Sequence, residues 1–338
     1  MNSFAKTAFV RLIEKVPLAR KGLEGYRHWR STRKTARRSE VSDKPWRIFN
    51  IELTNRCPFK CVMCARTNNM TREQGLMDFE NFKLVVDEYA AFNPAAAAVE
   101  VTWLHHFGES LVHPDFARFI RYAADKGLRP AMSINPLMLT PAVSRDLLAS
   151  GIALLNISLD GHDDQSFLEI RGVKNAFEKS KANLLEFLQL KLELQAKVHV
   201  VLSMIDFAMN RESIEELRIY WAARPGIDEF AAKEFKMWNG DAADVNRLAD
   251  KQVDNAELRK THRVACNVPW EKLTVAWDGD VVPCCYDYDK KYPLGNVKNK
   301  KIFEMWNGPE MRELRREFLD NDVRNPLCRN CPELYLAP

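Results

Sequence analysis

The sequence predicts an α/β protein with a parallel sheet, either doubly wound or curved into an open barrel. Between residues 47 and 235, six short apolar runs alternate with amphipathic helical segments. Because parallel strands need long crossover connections, this alternation is typical of a parallel sheet covered by helices. After residue 238 the pattern changes to a polar stretch followed by a hairpin. A second, smaller unit is therefore expected at the C-terminal end.

The six predicted strands are short runs rich in apolar and β-branched side chains. They lie at residues 47–53, 99–104, 129–135, 153–160, 197–205 and 228–235. The helices predicted between them lie at residues 79–92, 114–126, 140–151, 176–190 and 211–223. The segment at 140–151 begins with Thr140 as N-cap and Pro141 in its first turn, and it ends at Gly151.

The tail begins with a polar connector at 239–262 and continues with a predicted β-hairpin at 272–284, which turns at Asp278-Gly279. Two short helices, IFEMW and PEMRELRREFL, follow. The expected organisation is a basic N-terminal helical arm at 1–46, a barrel at 47–238, and a connector with a terminal unit at 239–338.

Composition and charge limit the functional classes. Hydrophobic residues make up 46% and charged residues 28% of the chain, as in ordinary soluble globular proteins. No segment approaches about 18 uncharged apolar residues, and no signal-peptide pattern is present, so a cytoplasmic location is predicted. Residues 1–47 carry 13 Lys/Arg and 4 Asp/Glu, so their net charge is +9. The whole chain has a net charge of +4, so the rest of the chain is mildly acidic. A nucleic-acid-binding surface on the body is not expected.

The basic arm has two interpretations. Apolar residues recur at helical spacing in its first 16 positions, with basic residues between them. Such a segment is either a solvated arm or a helix packed on the body. Alternatively, it docks peripherally on a membrane surface or on a partner protein.

Three cysteines, Cys57, Cys61 and Cys64, follow the first predicted strand with the spacing C-x3-C-x2-C. Barrel folds build active sites from loops at the C-terminal ends of their strands. Close-set cysteines in a cytosolic chain indicate metal ligands, because disulfides are rare there. Three thiolates on a four-iron cluster leave one iron open to an external ligand. The alternative is zinc, or a coincidence of buried thiols.

The segment NRCPFKCVMC (55–64) resembles the signature loop of the radical S-adenosylmethionine (radical SAM) superfamily. The resemblance runs from about residue 47 to residue 235 and implies a partial (β/α)6 TIM-like barrel. It also implies that the three cysteines hold a 4Fe–4S cluster, whose fourth iron is chelated by the amine and carboxylate of SAM. Reductive cleavage of SAM in this family yields a 5′-deoxyadenosyl radical, which abstracts a hydrogen atom from the substrate.

The resemblance also implies residues that bind SAM. In HHFGESLVHPDF (105–116), Gly108 and Glu109 match the Gly-Gly-Glu segment that holds the SAM amine, although Phe107 replaces its first glycine. ISLDG (157–161) is similar to the segment whose serine, here Ser158, contacts the ribose.

Three further SAM-binding positions are implied. EIRGVKNAFEK (169–179) places Arg171 where it suits the SAM carboxylate. Asn135 falls at a position where the family often has Thr-Asn-Gly. Met63 sits where the family usually has an apolar or aromatic residue near the adenine, and plain core packing is its alternative.

A second group of cysteines lies wholly in the tail. Four thiolates, from Cys266, Cys284, Cys328 and Cys331, can close a site around a second cluster. Spacing alone leaves a zinc ribbon or knuckle open. The surrounding segments resemble the C-terminal auxiliary-cluster module of radical SAM enzymes, the SPASM type or its shorter single-cluster twitch form. The spacing from Gly279 selects Cys284 as ligand, and Cys285 is expected to be a packed thiol.

The resemblance implies a radical SAM oxidoreductase with two 4Fe–4S clusters and SAM as cofactors. The same twitch architecture occurs in radical SAM dehydrogenases that oxidise an aminocyclitol hydroxyl. The resemblance therefore implies a carbohydrate or cyclitol substrate, with the auxiliary cluster as electron acceptor and flavodoxin or ferredoxin as external electron donor. A base must take the hydroxyl proton. The candidates are Glu234 and Lys236, which alternate along the sixth strand, and His105 at the end of the second strand.

Other functions stay open at this point. A radical SAM maturase that modifies a peptide is one, with a separate partner protein to recognise the peptide. A sugar epimerase is another, with Cys285 as hydrogen donor. A third is a zinc- or Fe–S-binding regulatory protein, which has no use for an open three-cysteine site.

Overall fold

A computed structural model describes residues 38–206, 208, 210–250 and 252–335. The predicted helical arm therefore lies outside the described residues, except for residues 38–46. Those nine residues form no helix. They pack against the tail, where Arg38 donates to the carbonyl oxygens of Val264 and Ala265. The guanidinium of Arg315, which is fully buried, donates to the carbonyl oxygen of Glu40 at 3.0 Å.

The described residues form a single nine-stranded sheet in the order β6-β5-β4-β3-β2-β1-β7-β8-β9. The strands are β1 (Arg47–Ile51), β2 (Val101–Trp103), β3 (Arg129–Ile134), β4 (Leu154–Ser158), β5 (His199–Asp206), β6 (Glu229–Glu234), β7 (Lys272–Val275), β8 (Asp280–Val282) and β9 (Gly295–Asn296). The first six are parallel, as predicted, and they form the partial barrel. Each lies within a residue of its predicted run or is slightly shorter than it.

The tail continues the barrel sheet. Strand β7 pairs in parallel with β1, in a register that runs from Arg47 opposite Lys272 to Ile51 opposite Val275. Strands β8 and β9 then add in antiparallel fashion, so the predicted hairpin is present. Gly279 at its turn has a φ of +92°, a conformation that favours glycine. The tail is therefore fixed to the barrel through backbone hydrogen bonds along β1.

Twelve α-helices occur in the part of the chain that the structure describes. They are α1 (Ala65–Asn68), α2 (Phe79–Phe92), α3 (Pro94–Val99), α4 (Phe116–Asp125), α5 (Pro141–Leu148), α6 (Asp164–Arg171), α7 (Phe177–Glu193), α8 (Arg211–Ala222), α9 (Ala243–Asn246), α10 (Asn255–Thr261), α11 (Ile302–Trp306) and α12 (Pro309–Leu319). All seven predicted helices are found. The sequence missed α6 and the short helices α1, α3, α9 and α10. None of the described helices is long and apolar enough to span a membrane.

The two faces of the barrel sheet differ in polarity. Side chains alternate along a strand, and one face carries buried apolar residues such as Leu155, Ile157 and Leu202, which belong to the main hydrophobic core. The other face carries Asn156, which hydrogen-bonds across the strands, so this inner face is polar. Its polar residues are Ser133, Asn156, Ser158, Ser203 and Lys233. Burial of the apolar face leaves a polar interior available for a ligand.

Candidate active site

The three-cysteine loop follows β1 and is held by the C-terminal end of α6. The backbone N–H groups of Lys60 and Val62 donate to the carbonyl oxygens of Arg171 and Ile170, at 3.1 and 3.0 Å. Gly172, at the end of α6, has a φ of +72°, and a Cβ there would lie 2.7 Å from the Lys60 carbonyl oxygen. The conformation of the loop is therefore held by a helix that lies more than a hundred residues further along the chain.

Gly108 supports the loop from the other side. A Cβ atom at Gly108 would overlap the carbonyl oxygen of Thr54 and lie 2.7 Å from its carbonyl carbon. The next residue, Glu109, donates its backbone N–H to the Arg56 carbonyl oxygen at 3.0 Å. Only glycine allows this close approach of the two chain segments. The structure therefore gives Gly108 a clear reason to be glycine, and its contact with SAM stays a prediction.

Glu109 and Asn135 meet beside the cysteine loop. One carboxylate oxygen of Glu109 accepts the Asn135 backbone N–H at 2.9 Å, and the other accepts the Leu111 N–H at 3.2 Å. Burial nevertheless raises the pKa of Glu109 to about 7. The side-chain amide nitrogen of Asn135 is buried and has no hydrogen-bond partner in the part of the chain that the structure describes. A buried carboxylate and an unpartnered amide nitrogen suit a ligand with both cationic and acceptor groups.

Arg171 lies directly over the loop. Its guanidinium forms an ion pair with buried Asp160 and lies 3.5 Å from the sulfur of Cys61. Its Nε atom is buried without a partner among the described residues. Burial opposes the charge, but Asp160 and Cys61 hold the pKa of Arg171 above its ordinary value. The pairing residue Asp160 was missed from sequence, although it lies inside the ISLDG segment.

Ser158 and Met63 complete the predicted SAM contacts. The Ser158 hydroxyl lies on the inner face of β4, 3.3 Å from the Asn156 amide nitrogen and 3.4 Å from the Ser203 hydroxyl. Met63 is buried in a small apolar cluster with Phe59, and its carbonyl oxygen accepts the Trp238 indole N–H at 2.8 Å. Its side chain therefore packs in the core beside the cysteine loop, and its contact with adenine stays a prediction.

The thiols of the loop fit a multi-iron cluster. Burial raises the pKa of Cys57 to about 12 and that of Cys64 to about 11. Thiols in such a site need a bound cation to ionise. Their sulfur-only donor set is that of an iron–sulfur cluster with three protein ligands. Arg171 contacts the Cys61 sulfur at 3.5 Å, and Glu109 bonds both the backbone of Arg56 in the loop and that of Asn135.

A second group of thiols lines a cavity in the tail. The cavity measures about 380 Å³, including the solvent at its mouth. Its wall contains the four predicted ligands Cys266, Cys284, Cys328 and Cys331, with apolar residues such as Leu314 and Phe318 around them. Cys285 is not part of the wall. Among the described residues, no three His, Cys, Asp or Glu side chains are grouped closely enough to bind a single metal ion. The four thiols around one apolar cavity suit a larger, multi-iron group.

A buried ionic network joins the barrel to the loop that follows Cys284 in the tail. Glu52, at the end of β1, accepts two hydrogen bonds from Arg72, at 2.7 and 2.6 Å, and both side chains are buried. It also accepts the backbone N–H of Trp277, in the hairpin, at 3.2 Å. His106 lies 3.6 Å from Glu52 and contacts the carbonyl oxygen of Cys285 at 2.7 Å. The loop after Cys284 is therefore fixed relative to β1.

Of the three predicted proton-transfer candidates, one lies on the inner face of the barrel and two do not. Glu234 is the last residue of β6 and alternates with Lys233, so it lies on the opposite face of the strand, and its side chain is 83% exposed. Lys236 lies beyond the end of β6. Lys236 pairs with Glu234 at 3.2 Å and with Glu333 at 3.1 Å. His105, in contrast, reaches the inner face and accepts the Ser133 backbone N–H at 3.2 Å. The structure therefore does not bring Glu234 and Lys236 to the polar interior.

The fold is a partial barrel with a three-thiol loop after β1 and a four-thiol cavity in the tail. This arrangement is typical of iron–sulfur enzymes in which one cluster has three protein ligands and a second has four. The profile of the Radical SAM superfamily matches residues 51–220, half of the chain. The chain belongs to that superfamily. The profile of the SPASM iron-sulfur cluster-binding domain matches residues 266–332. Both matches confirm the predicted family, and they imply iron–sulfur clusters and SAM as cofactors.

Two curated relatives match about two fifths of the chain. The AdoMet-dependent heme synthase of Methanosarcina barkeri is 30% identical over 138 residues, which are 41% of this chain and 38% of that protein. The dTDP-4-amino-4,6-dideoxy-D-glucose ammonia-lyase of Streptomyces venezuelae is 30% identical over 149 residues, 43% of this chain and 29% of that protein. The chain therefore matches less than half the length of each.

One solved structure supports the fold over most of the chain. BtrN in complex with AdoMet and 2-DOIA superposes with a TM-score of 0.54 over 86% of this chain and 94% of that chain. The two sequences are 16% identical, so the likeness shows the shared fold alone.

Proposed function

We propose that this radical SAM enzyme holds two 4Fe–4S clusters and oxidises a hydroxyl group of a sugar or aminocyclitol, with the tail cluster as electron acceptor. The observation that carries the proposal is the contrast between the two thiol sets. Three thiols leave a ligand position open beside Glu109 and Arg171, whereas four thiols line the tail cavity. A closed cluster has no position for substrate, and electron transfer is the role left to it.

The chain's own residues hold the reacting groups in place. Cys57, Cys61 and Cys64 would hold the first cluster, and Glu109 and Arg171 offer opposite charges to the amine and carboxylate of SAM. When bound, SAM and this cluster supply the radical that abstracts a substrate hydrogen atom. The network around Glu52 keeps the tail cavity at a fixed position relative to β1.

The polar interior supports a polyhydroxylated substrate. Hydroxyl and amide groups of Ser133, Asn156, Ser158 and Ser203 line the inner face and hydrogen-bond one another at 2.9 to 3.4 Å. Neutral groups that both donate and accept suit sugar hydroxyls better than apolar side chains do. The similarity over 149 residues to an ammonia-lyase that acts on an amino sugar nucleotide favours the same substrate class.

The test uses anaerobically reconstituted protein with SAM and a reductant. About eight irons per chain are expected for two cubanes. myo-Inositol and D-glucosamine serve as probes, and the products measured are 5′-deoxyadenosine and the oxidised carbonyl compound. Cys57→Ala should abolish SAM cleavage, because the open cluster loses a ligand. Cys328→Ala should spare some cleavage and stop net oxidation. Unchanged oxidation in Cys328→Ala would contradict the electron-acceptor role.

A further inference from the structure

Lys233 is the cationic side chain of the inner face of β6. Its ammonium donates to the Asn156 side-chain oxygen at 2.7 Å. Within the described residues it has no carboxylate at ion-pair distance, whereas Lys191 and Lys290 each pair with an aspartate. The residue is exposed to solvent, and its hydrogen bond to Asn156 places its amine on the polar inner face. A small molecule in the polar interior can therefore reach the amine.

The charged groups that face Lys233 come from several elements. Asp160, after β4, and Glu229, on β6, raise its pKa, whereas Arg171, at the end of α6, lowers it. Burial is the largest effect, and the pKa falls to about 8. His105, after β2, is the remaining titratable neighbour, and Lys233 in turn lowers the pKa of His105. Near pH 8 about half of the Lys233 amines are neutral and carry a lone pair.

His105 offers the complementary hydrogen-bonding group. Its Nδ1 atom accepts the Ser133 backbone N–H at 3.2 Å, so the proton of the neutral ring lies on Nε2. Burial and the neighbouring His106 and Lys233 lower the pKa of His105 to about 3, so the ring stays neutral. Among the described side chains none hydrogen-bonds to Nε2. The ring therefore presents an N–H donor on the same face as Lys233.

We propose that Lys233 accepts the proton of the substrate hydroxyl, and that His105 donates a hydrogen bond to the oxygen of that hydroxyl. The inference rests on the proposed function. In such an oxidation, SAM bound at the three-thiol loop would supply the radical that takes the hydrogen atom from the substrate carbon. The O–H proton would pass to the lone pair on Nζ of Lys233, and the remaining electron would go to a cluster held by the four thiols of the tail cavity, which would be the electron acceptor. The C–O single bond becomes a carbonyl group, and atoms and electrons balance.

The first arm of the test measures the amine itself. The reconstituted holoenzyme is treated with trace acetic anhydride between pH 6 and 10, and the acetylation of each lysine is quantified by mass spectrometry. Exposed Lys44 is the reference within the same sample. At pH 8 about half of the Lys233 amines but under about 1% of ordinary lysine amines are neutral, so Lys233 should be labelled at least tenfold more than the reference lysine. Equal labelling at pH 8 would overturn the inference without touching the proposed function.

The second arm compares Lys233→Met and Lys233→Arg with wild type, with myo-inositol and D-glucosamine as probes. The ratio of carbonyl product to 5′-deoxyadenosine should fall by about 10²-fold in both variants, because general-base catalysis is lost. Lys233→Arg keeps the charge, so its KM should change little while kcat falls. In wild type kcat/KM should rise with pH through about 8, the pKa of Lys233. The arginine variant should lose this rise.

A matched control separates a general loss of charge from a loss of the base. The control is Lys197→Met, because Lys197 is exposed and lies just before β5. Its ratio of carbonyl product to 5′-deoxyadenosine should stay within about twofold of wild type. Oxidation within twofold of wild type in Lys233→Met would overturn the inference. If wild type forms 5′-deoxyadenosine but oxidises neither probe, the proposed function fails, and the inference fails with it.

Discussion

Replacing Glu52 with glutamine tests the buried network that joins the barrel to the tail. The Glu52 carboxylate receives two hydrogen bonds from Arg72, at 2.7 and 2.6 Å, and backbone N–H bonds from Phe107 and Trp277, both at 3.2 Å. The glutamine side chain keeps the shape but leaves the Arg72 charge unpaired and buried. Breaking such a pair costs about 3–5 kcal/mol. The ratio of folded to unfolded protein should therefore fall by about 10²-fold or more.

The assay is anaerobic urea unfolding of the reconstituted protein, followed by far-UV circular dichroism. Glu100→Gln is the matched control, because the Arg47–Glu100 pair has a similar distance of 2.6 Å but is 28% and 50% exposed. An exposed pair contributes about 0–1 kcal/mol. If Glu52→Gln loses no more stability than Glu100→Gln, the network is not a stabilising link and the reasoning is refuted.

Three further predictions follow from single contacts. Gly108→Ala should lower the iron bound by the first cluster, because its Cβ would displace Thr54. Lys197→Met, at an exposed position, should retain iron in the same assay. Cys284→Ser should lower the iron content and change the low-temperature EPR spectrum of the reduced enzyme. Cys285 lies outside the cavity wall, so Cys285→Ser should leave the iron content and the spectrum unchanged. The reverse result would show that Cys285 is the ligand. Burial raises the pKa of Glu52, but the Arg72 hydrogen bonds outweigh it and hold that pKa below 4.5. The ionised Glu52 carboxylate stabilises the folded state above pH 4.5, and this stabilisation is lost as the pH falls through the lowered pKa that Glu52 has in the folded protein. The unfolding midpoints of wild type and Glu52→Gln should therefore converge in acid.

Elements with strong local signals were predicted almost to the residue. Helix α2 spans Phe79–Phe92, the predicted range, because Asp78 caps it by accepting the N–H groups of Glu80 and Asn81 and because one face is apolar. Helix α6 was missed, although Asp163 and Ser166 form a capping box there and Gly172 ends it. Its eight residues are short for a periodic pattern to appear. The capping signal in the sequence was sufficient to find it.

The proton-transfer candidates show the limit of local patterns. Alternation along a sixth strand that continued to residue 236 predicts that Glu234 and Lys236 share a face. In the structure β6 ends at Glu234, and the two side chains form an ion pair at 3.2 Å. The pattern cannot say which face is interior, since that depends on how β6 pairs with β5 and β4. The hydrogen bond from Lys233 to Asn156 shows that the interior face is the one that carries Lys233. A lysine flanked by Ala232 and Glu234 gave no signal of its own in the sequence.

The sequence by itself determined the family, because the type and spacing of the cysteines are local: the C-x3-C-x2-C loop and the CRNC pair predict thiolate sites within a few residues of chain. Tertiary structure alone decided what surrounds them. The pairings of Glu52 with Arg72, of Arg171 with Asp160 and of Lys233 with Asn156 join residues from different elements. Their energies depend on burial and on distance, and both arise only when the sheet closes around its polar face.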